Sequence, residues 1–346
     1  MNDPTQEQQT AAVIGCGTWG LSLACLLAKK GIVTCAWDAF PDYIQHLQQT
    51  RWHDKLPDLS IPSDLNITND LKCVADAKFF VLAPASHGMR PVCELIKQLG
   101  IDLSMHLFVI CTKGIEEHSM KPMAEVVTEV LGESIGDKLV VLSGPSHAEE
   151  VSRDLPTTVV AASKNAEAAA STQSLFMCPF FRVYTHDDVL GVELGGSLKN
   201  VIAIAAGICD GLGFGDNSRA ALITRGLAEI TRLGVAMGAR ADTFSGLAGI
   251  GDLIVTAGSR HSRNHNFGQK IAQGLTMQQA QQEIGMVVEG IRTCVSAMEL
   301  SQKYNIELPI TSEVYEVLYN NKSPQRAVRD LMLRDPKPEA ERLRNN

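Results

Sequence analysis

TAAVIGCGTWG, residues 10–20, decides the fold. A short apolar run, 10–14, ends in Gly15, and Gly15, Gly17 and Gly20 complete a GxGxxG turn. Leu21, Ala24, Leu27 and Ala28 then fall on one face of a helix that Gly31 stops. A second apolar run, 32–37, closes in Asp38. Glycine turns are common, but strand, turn, helix, strand and acid in this order form the dinucleotide-binding pattern. The first glycine permits the tight turn, the second lets the backbone approach a pyrophosphate, and the third lets helix pack on strand. The helix start offers free N–H groups to the phosphates.

Asp38 bears on which dinucleotide is used. A carboxylate here accepts hydrogen bonds from the adenosine ribose hydroxyls and repels a 2′-phosphate. No Arg or Lys stands between Gly31 and Thr50 to receive that phosphate. NAD is therefore expected over NADP, the plainer alternative being a solvated loop aspartate.

The alternation continues downstream. Runs 78–83, 107–111, 139–142, 158–162 and 181–184 read as strands, with helices over 87–99, 122–131 and 166–177. The fold class is α/β: an N-terminal Rossmann-like, doubly wound, largely parallel sheet over 10–190. Ligands of such sheets bind beyond the carboxyl ends of the strands, where Pro84, Lys113 and Ser146 stand. Lys113 reads equally as an exposed loop lysine.

From Val189 onward the β pattern stops, and an all-helical domain is expected over 191–335, with a mobile tail at 336–346. Helices are read at 198–209, 218–237, 277–284, 288–304 and 312–319, with a short last one from Ser323-Pro324. The run GGSLKNV, 195–201, puts Lys199 in an otherwise apolar helix start. Burial there disfavours the charged amine and makes it a candidate proton carrier, unless the side chain snorkels to solvent.

Composition narrows the function. The chain has 346 residues, 45% hydrophobic and 20% charged, enough for two globular domains. The net charge of -8 argues against a nucleic-acid binder, which needs a basic face. The longest apolar stretch, 201–209, is too short to span a bilayer, and the polar, acidic first ten residues are no signal peptide, so no membrane insertion is expected. Nine cysteines, an odd number without a CxxC pair, suit a reducing cytoplasm; Cys35 and Cys111 read as small hydrophobes.

Taken together, the chain closely resembles the bacterial-type NAD(P)-dependent sn-glycerol-3-phosphate dehydrogenases over residues 10–335. The resemblance is carried by GCGTWG at 15–20, CTKGIE at 111–116, SGPSHAEEV at 143–151, GGSLKNVIAIAAGICDGLGFGDNSRAALITRGLAEI at 195–230, GIGDLIVTAGSRHSRNHNFG at 249–268 and VVEG at 287–290. One motif alone would be weak; this ordered set is specific. It implies reversible reduction of dihydroxyacetone phosphate to sn-glycerol 3-phosphate, the backbone precursor of phospholipids. A cytoplasmic homodimer is expected, with the assembly left open by the sequence. The resemblance implies Lys199 as proton donor and acceptor, and Lys113 in contact with cofactor and substrate. It assigns Gly144, Ser146, Asp252, Ser262, Arg263 and Asn264 to the substrate. It assigns Thr18, Trp19, Ala148, Arg263, Val287 and Glu289 to the cofactor, beside Gly15, Gly17, Gly20 and Asp38 of the turn. Two stretches depart from the family. Asp38 stands where many members carry Arg or His, which puts the usual NADP preference in doubt. Leu82-Ala83-Pro84-Ala85-Ser86 differs from the common valine-proline-serine form but keeps the strand-end proline.

The chemistry agrees with these residue types. Ketone reduction builds negative charge on the carbonyl oxygen, and a positioned cation stabilises that charge and supplies a proton. Lys199 suits both needs; a second cation, Lys113, would disfavour its charged form, and Asp252 would orient it or else cap a helix after Gly251. Ser262, Arg263 and Asn264 present a hydroxyl, a planar fork and an amide to a phosphate; they cannot all point one way on a strand but can at a helix N-terminus, the plainer alternative being a solvated basic loop. A helix is therefore expected to begin near Ser262. His261 and His265 have helical metal-pair spacing, but no third ligand lies close by in sequence and ketone reduction needs no metal. Met286, Val287 and Val288 read as core, with a backbone group of Val287 left to reach the cofactor. Two other readings remain: a related two-domain hydroxy-acid dehydrogenase of the ketopantoate-reductase kind, and a non-catalytic NAD-binding sensor.

Overall fold

The computed structural model describes residues 9–339. The first eight residues, and 340–346 of the expected mobile tail, lie outside the described residues. The described residues form two compact units, 9–116 with 121–193, and 117–120 with 194–339.

The first unit is built on an eight-stranded sheet. In chain order it runs β1 (Thr10–Ile14), α1 (Thr18–Lys29), β2 (Val33–Trp37), α2 (Pro41–Thr50), β3 (Asn66–Thr68), β4 (Phe79–Leu82), α3 (Met89–Gln98), β5 (Leu107–Ile110), α4 (Met123–Leu131), β6 (Leu139–Ser143), α5 (Ala148–Val151), β7 (Thr157–Ala162), α6 (Ala166–Phe176) and β8 (Phe181–His186). The spatial order is β3-β2-β1-β4-β5-β6-β7-β8. All residues of β4 and β6 are buried, as expected of strands covered on both faces. Val13, Leu21, Leu27, Val81, Val109 and Leu142 join one core across sheet and helices. The sheet is largely parallel as read, but β6 and β7 are antiparallel, Val141 opposite Ala162. Their connection carries only the four-residue α5, too little helix for a parallel crossover.

The sequence reading left out α2 and β3. Strand β3 has three residues, too few to show alternation, yet its Asn66 pairs with Cys35. The expectation of an all-thiol chain is corrected here: Cys35 is bonded to Cys73, 38 residues on. The β2–β3 pairing and the turn after β3 bring the two together, and no local Cys spacing signals it. The other seven cysteines are free thiols.

The helices that follow are α7 (Val189–Gly211), α8 (Asp216–Ala236), α9 (Asp252–Gly258), α10 (Arg263–Ala272), α11 (Met277–Ile284), α12 (Glu289–Tyr304), α13 (Pro309–Tyr319) and α14 (Pro324–Met332). The run 201–209, read as too short to cross a membrane, belongs to this longer α7. The helix has 23 residues and is long and apolar enough to cross a membrane, but it is mostly buried within the protein. Buried Val201, Ile202, Ile204 and Ile208 explain its apolar character as core. Helix α10 crosses α7 closely: a Cβ on Gly207 would stand 1.9 Å from the His265 carbonyl oxygen, and one on Gly268 would stand 2.1 Å from that of Ile204.

Two buried carboxyls act as caps on neighbouring helices. Glu229 on α8 accepts from Ile310 N at 2.6 Å and Thr311 N at 3.2 Å at the start of α13. Glu193 accepts from Ala124 N at 2.8 Å at the start of α4. Burial pushes the Glu229 carboxyl up to about 7 and the Glu193 carboxyl up to about 8, against the opposing pull of those N–H groups. The folded chain thus keeps two protons that the unfolded chain releases above its ordinary value of 4.5. That stabilisation is complete below the ordinary value and is lost as pH rises through about 7 and then about 8. The melting temperature is expected to fall between about pH 5 and about pH 9, and Glu229→Gln to flatten the slope. An unchanged slope in that variant contradicts the assignment.

Candidate active site

In the first unit the glycine turn sits at the carboxyl ends of β1 and β4. Gly15 has φ 102°, and a Cβ there would stand 2.8 Å from the Ala83 carbonyl carbon and from Pro84 N. Only glycine lets the turn pass the end of β4 so closely. At Gly17 no atom lies within 4 Å of a Cβ position, and no side chain caps α1. Open space over uncapped N–H groups is what a pyrophosphate requires. Thr18 is buried and Trp19 half-buried in the first turn of α1. Asp38 is fixed to the turn: Oδ2 accepts from Cys16 N at 2.8 Å and Oδ1 from Phe40 N at 3.3 Å. An ionised carboxylate has about four acceptor positions, and these two bonds use two of them.

Three residues named from the sequence meet beyond β5 and β6. The Lys113 Nζ donates to Gly144 O at 2.9 Å and approaches Ser146 Oγ at 3.4 Å. The Ser146 hydroxyl itself donates to Gly144 O at 2.8 Å. Ala148 opens α5 and is buried, its carbonyl facing Ser22 of α1 at 3.4 Å.

In the second unit α7 organises the chemistry. Lys199 lies at mid-helix, not at the helix start as read from the sequence, and it does not snorkel: it is 5% exposed. Its Nζ donates to Asp252 Oδ1 at 2.6 Å and to Thr256 Oγ1, both on α9. Asp252 is 1% exposed. Asn200 points about 100° away around the helix and accepts from Asn264 Nδ2 at 3.0 Å. Asn264 Oδ1 in turn accepts from Gly290 N at 2.9 Å, which ties α10 to the start of α12.

Helix α10 begins at Arg263 with Ser262 as its N-cap, as the spacing predicts. The buried Ser262 hydroxyl accepts from His265 N at 3.2 Å. Arg263 Nη1 donates to Val287 O at 2.9 Å. Val287 corrects the core reading: the residue is 39% exposed, and its carbonyl accepts the Arg263 bond. Glu289 follows in the first turn of α12. His265 does not pair with His261; its Nε2 lies 2.8 Å from Asp210 Oδ2.

Two residues at this site escaped the sequence reading. Thr256 follows Asp252 by four, the spacing that stacks side chains on one helix face, but α9 is too short for its periodicity to be read. Asn200 adjoins Lys199 and shows its role only once the helix direction is known.

The matching family models are the NAD-dependent glycerol-3-phosphate dehydrogenase N-terminus over residues 10–169 and the corresponding C-terminus over 188–329. A relative from Lysinibacillus sphaericus named glycerol-3-phosphate dehydrogenase [NAD(P)+] is 48% identical over 340 residues, 97% of this chain and 100% of its own. One of the same name from a Thermoanaerobacter species is 49% identical over 95% of this chain and 98% of its own. The crystal structure of glycerol-3-phosphate dehydrogenase from Coxiella burnetii superposes with a TM-score of 0.88 at 37% identity, covering 94% of this chain and 99% of that one. With both family models matched in chain order across the two units, this chain belongs to the NAD(P)-dependent glycerol-3-phosphate dehydrogenase family.

Proposed function

We propose that the protein reversibly reduces dihydroxyacetone phosphate to sn-glycerol 3-phosphate, with Lys199 as the proton donor. The observation that carries this reading is the buried Lys199 ammonium 2.6 Å from the Asp252 carboxylate, in a member of this family. When bound, the dinucleotide supplies the hydride. Lys199 stabilises the charge that develops on the carbonyl oxygen and gives that oxygen its proton. Asp252 and Thr256 hold the ammonium in place and offset its desolvation. Ser262, Arg263 and Asn264, at the N-terminus of α10, take the substrate phosphate. Lys113, Gly144 and Ser146 also bind substrate in this reading, with Lys113 touching the cofactor as well. Gly15, Gly17, Thr18, Trp19, Gly20 and Ala148, with Arg263, Val287 and Glu289, hold the cofactor.

Asp38 favours NAD: a carboxylate beside the ribose accepts from two hydroxyls and repels a 2′-phosphate. The product's use as a phospholipid precursor follows from the same reading. Seven free thiols favour a cytoplasmic enzyme, with the Cys35–Cys73 bond the one feature against it. A homodimer is the assembly proposed; Met332 and Leu333, 80% and 73% exposed, offer apolar surface for it.

Initial rates of dihydroxyacetone phosphate reduction are expected to be faster with NADH than with NADPH at equal concentration. Faster use of NADPH discards the Asp38 argument and keeps the enzyme; no turnover with either cofactor discards the substrate. Arg263→Ala is expected to raise KM for the phosphorylated ketone about 10- to 100-fold, because a charge-assisted fork to phosphate is lost. An unchanged KM places the phosphate elsewhere.

A further inference from the structure

The stretch 111–116 that carries Lys113 leaves β5 with neither helix nor regular strand until α4. A side chain as long as lysine, on such a loop, needs its backbone held if the ammonium is to stay in one place. One end is tied by Thr112, whose hydroxyl donates to Pro84 O at 2.6 Å. The other end is tied through Glu116. Arg90, in the first turn of α3, meets that carboxylate as a fork: Nε donates to Oε1 at 2.9 Å and Nη2 to Oε2 at 2.8 Å. The same guanidinium reaches both oxygens of Glu129 on α4 at 3.3 Å, and Lys121 bonds Glu129 as well. The backbone closes at the same point, with Glu116 N donating to Lys121 O at 2.9 Å and Ile115 bridging to Pro122. Glu116 is 18% exposed and Arg90 29%, so solvent shields this pair less than it shields an ordinary surface ion pair. No step of ketone reduction uses Arg90, Glu116 or Glu129.

We propose that Arg90 is a positioning residue for the reaction: by clamping Glu116 it holds the 111–116 loop so that the Lys113 ammonium stays at the Gly144 carbonyl and the Ser146 hydroxyl. The proposal rests on the reading of Lys113 as a substrate-binding residue. It differs from a general stabilising role because the effect passes through one side chain. Lysine in place of Arg90 keeps the charge but cannot bond both Glu116 oxygens as a planar fork.

The test is steady-state kinetics with dihydroxyacetone phosphate on the full chain, for wild type, Arg90→Ala, Arg90→Lys, Lys113→Ala and the Arg90→Ala/Lys113→Ala double variant. Arg90→Ala is expected to lower kcat/KM about 10- to 100-fold, the scale of a small misplacement of a binding group, and Arg90→Lys to recover only part of it. In the Lys113→Ala background the Arg90 effect should disappear, because the group it positions is gone. Glu116→Gln should reproduce the Arg90→Ala loss and the same non-additivity, which keeps the test available if Arg90→Ala does not fold. Losses that multiply in the double variant overturn the positioning role, as does wild-type activity in Arg90→Ala. Wild-type activity in Lys113→Ala removes the Lys113 reading itself, and the inference with it.

Discussion

A buried ammonium needs a buried counter-charge, and the second unit is arranged around that requirement. Lys199 and Asp252 are 5% and 1% exposed. Removing either partner would strand a charge in the interior, at a cost of about 3–5 kcal/mol. The pair therefore fixes the spacing of α7 and α9. One residue further along α7, Asn200 holds Asn264, which sets α10 and its N-terminus. The close crossing at Gly207 and Gly268 keeps the α7 and α10 backbones near enough for that bond. The buried Lys199 and the Asn200 that holds the start of α10 are thus presented by one helix, on two faces set by the helical period.

The first unit solves a different problem. Strands β1 to β6 are mutually parallel and end together, so short loops gather backbone donors and a few side chains at the sheet's carboxyl edge. Gly15 must be glycine because β4 ends against it, and Asp38 is locked to the same turn by the Cys16 N–H. Lys113 is held by a carbonyl and a hydroxyl from the loop after β6.

Much of this was legible from the chain. The strand, glycine turn and acid of residues 10–38 are local, so their pattern carries the fold directly. The start of α10 at Ser262 was legible too, because a capping serine acts within its own turn. What escaped was non-local or short. The three residues of β3 make sense only beside β2, and the Cys35–Cys73 bond depends on that pairing. The antiparallel turn at β7 follows from a missing crossover helix, which periodicity does not report. Val287 looked apolar enough for the core, yet its carbonyl is the part that is held. Thr256 and Asn200 became visible only when α7 and α9 were seen side by side.

The central claim is that Lys199 acts on the reacting oxygen and not on cofactor binding. The direct measurement is single-turnover reduction of dihydroxyacetone phosphate by Lys199→Ala, with NADH affinity measured on the same preparation. The account predicts a rate lower by about 10²- to 10⁴-fold, the usual worth of a positioned general acid, with NADH affinity unchanged. A variant that turns over near the wild-type rate would contradict it.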